Sequence, residues 1–139
     1  MVQHSVASSR ADGAINRVVM NGKGGYLGYS SVHMSYLEDG WIALTGDNEE
    51  ENNGWKLLSE FTLEPGTYTL TGLKGLQKNT VALQLHIIDD SGSYRYLYQF
   101  DEDVQFIVVR EVAATLHVRV YPKIEGMNIK LRPAVYRDE

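Results

Sequence analysis

Residues 61–72, FTLEPGTYTLTG, set an apolar segment, a Pro-Gly turn and a second β-rich segment side by side. Thr, Tyr, Phe and Leu dominate both segments, so each reads as a strand, and together they read as one corner of a β-sandwich. Pro65 fixes a negative φ and Gly66 accepts a positive one, which suits a type II turn at Glu64-Pro65-Gly66.

Working outward, the same strand-and-turn grammar covers most of the chain. Upstream, residues 32–37 and 40–45 flank Glu38-Asp39-Gly40, an acidic residue followed by glycine that predicts a hairpin. Residues 47–53, DNEEENN, interrupt the apolar alternation and predict an exposed loop. Downstream, residues 80–88 alternate with period two, placing Val81, Leu83, Leu85 and Ile87 on a core face and Ala82, Gln84, His86 and Ile88 on the other. Residues 94–100 set Tyr94, Tyr96, Tyr98 and Phe100 on one face, with Arg95, Leu97 and Gln99 opposite. In residues 115–121, Leu116, Val118 and Val120 face in while Thr115, His117, Arg119 and Tyr121 face out. Pro133 cannot donate to a ladder, so the last strand, residues 127–136, is expected at an edge or a bulge. A single helical turn near residues 112–114 is the only helical signal in this half of the chain. About ten short strands predict an all-β, antiparallel β-sandwich, a jelly roll or a relative of one, in a single domain over residues 14–139.

Residues 1–13 are small and polar, and two readings stay open: an arm that docks in an assembly, or a frayed terminus. Residues 14–20 predict a short strand and residues 21–25, NGKGG, a turn. The glycines there lack the GxxxxGK[ST] spacing of a phosphate loop.

Composition narrows the function classes. The chain has 139 residues, enough to bury a core without a disulfide or a metal. It contains no cysteine, which excludes thiolate chemistry and a disulfide framework. A formal net charge of −5 argues against nucleic acid as a partner, because phosphate binding needs clustered Lys and Arg. Apolar runs such as residues 106–109 are far shorter than the roughly 20 residues of a membrane-spanning helix, so no membrane insertion is expected. No basic segment followed by an apolar one begins the chain, so no secretory signal is expected.

Few residues are candidates for chemistry. The four histidines, His4, His33, His86 and His117, form no HExxH pattern, and no metal ligands or cofactor are expected. No GxSxG elbow is present, and the acidic groups in residues 47–53 and 101–103 read as solvated turns rather than a facing carboxylate pair. The chain is therefore expected not to be an enzyme. Gln84, His86, His117, Arg119 and Tyr121 lie on outward faces of two long strands, and together they offer the donors, acceptors and ring planes that sugar or partner binding uses. The alternative is a plain solvated sheet face. The Tyr-rich strand of residues 94–100 and the two tryptophans, Trp41 and Trp55, are candidates for stacking on sugar or anchoring an interface, against the alternative of core packing.

Three segments in order, DGWIALTG at residues 39–46, LEPGTYTLTG at 63–72 and LRPAVYRD at 131–138, resemble the carbohydrate-binding-module-like β-sandwich domains of bacteriophage tail and minor structural proteins. That resemblance implies structural roles: core for Leu63, Tyr68 and Leu70, a turn for Pro65 and Gly66, an edge strand for Pro133. Ala134 and Val135 stand where the family often has methionine and another apolar residue, and residues 47–53 replace a neutral turn. What the resemblance implies for function is a non-catalytic virion protein, a tail, baseplate or fibre accessory module that binds cell-surface glycan or presents a binding domain. The alternative within the same setting is a capsid or tail decoration protein whose sandwich and N-terminal arm dock on neighbouring virion subunits. Either implies location in the virion, other virion proteins as partners, bacterial surface polysaccharide as a candidate ligand, and a homo-oligomer or larger assembly.

Overall fold

Strict alternation builds the centre of the molecule. A computed structural model of the chain describes residues 14–16, 24–28, 30–73, 75–88 and 94–138, apart from the side chains of 14–16 and 94. Its strands are β1 (Ala14–Asn16), β2 (Gly25–Tyr26), β3 (Ser31–Tyr36), β4 (Ile42–Asn48), β5 (Gly54–Leu63), β6 (Gly66–Thr71), β7 (Val81–Ile88), β8 (Tyr94–Gln99), β9 (Val104–Val108), β10 (Val112–Val120), β11 (Ile124–Leu131) and β12 (Ala134–Arg137). Every pairing among them is antiparallel. They form an antiparallel β-sandwich.

Among the described residues the strands form three four-stranded sheets, in the orders β1-β12-β6-β9, β5-β10-β7-β8 and β11-β4-β3-β2. Among the described residues, only β2 to β3, β3 to β4 and β7 to β8 are neighbours both in sequence and in a sheet. The other connections cross between sheets, so both layers are woven from the whole chain. One core results: Val32 and Met34 of β3, Leu44 of β4, Leu70 of β6, Leu83 and Leu85 of β7, Leu116 and Val118 of β10, and Val135 of β12 are all fully buried in it. Val81, Leu83, Leu85 and Ile87 are buried as their period demands.

The 61–72 corner does cross between sheets, from β5 to β6. Its turn differs from expectation: Gly66 has no left-handed φ and opens β6, so no type II turn forms. Side chains hold the corner instead. Tyr68 is fully buried, its hydroxyl donates to the Glu64 carbonyl at 2.6 Å, and its ring stacks on Phe106 with centroids 5.6 Å apart. Arg137 Nη2 donates to the Pro65 carbonyl at 2.8 Å, tying the turn to β12. Leu63 and Leu70 fill core, as the resemblance implied.

Four further expectations are corrected. The last strand is two, β11 and β12, which belong to different sheets, and Pro133 sits at the crossing between them. β11 lies at the edge of its sheet, as expected, whereas β12 is flanked by β1 and β6. Close approach explains the break: at Gly72 (φ 141°) a Cβ would lie 2.8 Å from Pro133 Cα. Residues 112–114 are extended within β10, where pairing with both β5 and β7 overrides any local helical bias. β4 runs on through Asp47 to Asn48, so the polar loop begins only after a fully buried asparagine. The 38–40 hairpin forms as expected, with Asp39 (φ 58°) and Gly40 (φ 81°) in left-handed conformations. Residues 1–13, most of the 21–25 turn and residues 17–20 lie outside the described residues.

Candidate functional site

The site is the outward face of sheet β5-β10-β7-β8. Register assembles it: His117 pairs with Gln84, Thr115 with His86, and Arg119 with both Trp55 and Ala82. On the far side of β7, Gln84 pairs with Tyr98 and His86 with Tyr96. Because directly paired residues share a face, Trp55 on β5, Gln84 and His86 on β7, and Tyr96 and Tyr98 on β8 lie on the same side as His117 and Arg119.

β5 would break this pattern without a bulge. Leu116 pairs with Ser59 and His117 with Leu57, so Leu58 is an extra residue. Ser59 and Leu63 lie inside, and unbroken alternation would turn Trp55 inward with them. The bulge buries Leu58 next to Ser59 and reverses the parity, leaving Trp55 44 % exposed. Its indole meets the His117 ring edge-on, centroids 5.5 Å apart and planes 68° apart.

The other half of the face is a stack of rings. His86 lies flat on Tyr96 with centroids 4.4 Å apart and planes 16° apart. Tyr96 is followed by Tyr98 at 6.4 Å and Tyr98 by Phe100 at 5.7 Å, with planes 27° and 13° apart. Phe100 is 55 % exposed and Tyr96 45 %. Between the Trp55–His117 pair and this stack lies a cavity of about 220 Å³, lined by Trp55, Gln84, His86, Tyr96, His117 and Arg119. A second, of about 420 Å³, shares Trp55 and Arg119 and continues toward Glu51, Asn52 and Asn53. Arg119 Nη1 donates to Gln84 Oε1 at 2.8 Å.

Burial holds the His117 imidazole below its ordinary value; Arg119 and His86 add to this and Glu60 opposes it. His117 therefore stays neutral over a wider pH range than a free imidazole, and its enclosed Nδ1 has no hydrogen-bond partner.

Five of the sequence candidates, Trp55, Gln84, His86, His117 and Arg119, are thus brought together. Trp41 is not. It is 43 % exposed, so it is not core, but it precedes β4 in another sheet, where its backbone closes the 38–40 turn with Leu37 and Glu38. Tyr121 follows β10 and lines neither cavity; its amide donates to the Thr80 carbonyl at 3.0 Å. The Tyr-rich strand, also a sequence candidate, contributes Tyr96 to the lining of the smaller cavity. Nothing in residues 51–53 marked them as a wall, since that depends on how Asn48 folds the loop.

Asn48 shapes that wall. Its Nδ2 donates to the carbonyls of Asn52 and Tyr121, both at 3.0 Å, and its Oδ1 accepts from the Glu50 amide at 3.2 Å. Lys123 Nζ adds contacts to the Glu49 carbonyl at 3.1 Å and Glu51 Oε1 at 3.0 Å. Asp101 and Asp103 are also engaged, Asp103 Oδ1 by Thr71 and Gln99, Asp101 by Lys78. Among the described residues no group of three or more His, Asp or Glu is placed to share a metal ion, and no helix is long and apolar enough to cross a membrane. Comparison with protein-family models and with curated proteins gave no match.

Proposed function

We propose that this protein is a non-catalytic glycan-binding module whose ligand lies across the outward face of sheet β5-β10-β7-β8. The observation that carries the reading is the exposed row of rings from Trp55 and His117 to His86, Tyr96, Tyr98 and Phe100, which flanks a cavity furnished with Gln84 and Arg119. Flat rings suit the C–H faces of pyranoses, while amide and guanidinium groups suit their hydroxyls. An open face of this kind fits a polymer better than an enclosed small molecule. The phage setting rests on the sequence resemblance alone: there the module is an accessory of the tail, baseplate or fibre and the ligand a bacterial surface polysaccharide.

The second reading, a decoration protein docked on neighbouring virion subunits, draws on a different surface. Ile107, 61 % exposed, lies on the edge strand β9, and Val109, 79 % exposed, follows it. The two readings separate by mutation. Alanine at Trp55, His86 and Arg119 abolishes retention on a panel of bacterial polysaccharides, and alanine at Ile107 and Val109 does not. The opposite pattern in a pull-down of virion proteins favours decoration.

A further inference from the structure

We infer that Arg119 makes this face selective for a carboxylated sugar, a uronate or a sialate, over its neutral counterpart; this rests on the glycan-binding reading. Arg119 is half-buried at the wall common to both cavities. Its guanidinium uses one donor, Nη1, on the neutral Gln84 Oε1, and its enclosed Nε has no acceptor. Among the described residues no carboxylate pairs with it. Of the acidic groups on this side, Glu51 on the wall is bound to Lys123, and Glu60, opposite Thr115 on β5, acts on His117.

A guanidinium partly withdrawn from water, with donors to spare and no carboxylate bonded to it, is an incomplete ion pair. Its planar fork matches a carboxylate, and charge-assisted hydrogen bonds are about twice as strong as neutral ones. The neighbouring groups leave that role open: His117 is held neutral, so it neither competes for the anion nor repels Arg119 at neutral pH. Trp55 then supplies the ring face for the same sugar, since it lies opposite Arg119 in register and lines both cavities. A carboxylated residue seated here has its ring on Trp55 and its carboxylate on Arg119. The adjoining residues of the polymer run over Tyr96 toward Phe100.

The test is a titration of the isotopically labelled full chain, followed by amide and arginine Nε–Hε resonances, with methyl β-glucoside, methyl β-glucuronide and methyl α-sialoside. Glucoside and glucuronide differ only at the carboxylate. The expected result is binding of one acidic sugar roughly tenfold tighter than the glucoside, with the Arg119 Nε–Hε signal among those that move. In Arg119→Gln the acidic sugar loses its advantage, and the ratio of its affinity to that of the glucoside falls to about one. Equal affinity for acidic and neutral sugars, or a preference that survives Arg119→Gln, overturns the inference and leaves the glycan reading standing. Failure of all three sugars to move Trp55, Tyr96 or Tyr98 overturns both.

Discussion

Asn48 shows what one buried amide does. It satisfies two carbonyls and one amide at the mouth of the site. Asn48→Ala should cost about 1–3 kcal/mol, since it removes three hydrogen bonds and empties a fully buried position. A urea midpoint lowered at unchanged slope is the expected reading, with weakened ligand binding as the 51–53 wall loosens. His117 makes a second prediction. Its folded value is depressed, first by burial, then by Arg119 on its own strand and His86 on β7, against Glu60 on β5. The fold thus refuses a proton that the unfolded chain accepts near 6.5, the ordinary value. Above that pH the group costs nothing; as pH falls through it, stability is lost. Melting curves between pH 7.5 and 5, taken as approximate bounds around the ordinary histidine range, should fall less steeply for His117→Gln than for the parent. Equal slopes would show that His117 titrates normally.

At the scale of elements, the bulge in β5 decides whether a site exists. One inserted residue, Leu58, reverses the facing of residues 54–57 and puts Trp55 over His117. In a Trp41→Phe chain, Trp55 fluorescence should be readily quenched by acrylamide, and deletion of Leu58 should shield it. Unchanged quenching would mean that the bulge does not set the ring's direction. This is also where sequence reading stops. Pure alternation made β7, β8 and β10 legible, down to which face of each carries His86, Tyr96 and Arg119, because their registers are regular. β5 was legible as a strand, but its bulge leaves no mark in residues 54–63, and the exposure of Trp55 follows from it. The division of residues 127–136 at Pro133 was missed for a related reason: a proline between apolar residues reads equally as an edge or as a crossing between sheets. Trp41 and Tyr121 show the same limit in space. Outward facing is a local property, whereas membership of a site depends on which sheet a strand joins.

For the molecule as a whole, twelve strands woven through three sheets give a rigid scaffold with one decorated face. The edge beside that face is closed rather than left open, because Arg95 Nη2 on β8 donates to the Ile107 carbonyl of edge strand β9 at 2.6 Å. On the proposed glycan-binding reading, a shallow aromatic face would hold one chain segment weakly, and many copies meeting a repeating polymer would multiply weak contacts through effective concentration. The fold leaves this face preformed, and binding should proceed without rearrangement of the core. The two tryptophans, similarly exposed on different sheets, allow the central claim to be read directly. Single-tryptophan chains, Trp41→Phe and Trp55→Phe, would be titrated with the bacterial polysaccharide that best retains the parent protein. The account predicts a saturable change in the emission of Trp55 and none in that of Trp41; a response from Trp41 alone, or from neither, would contradict it.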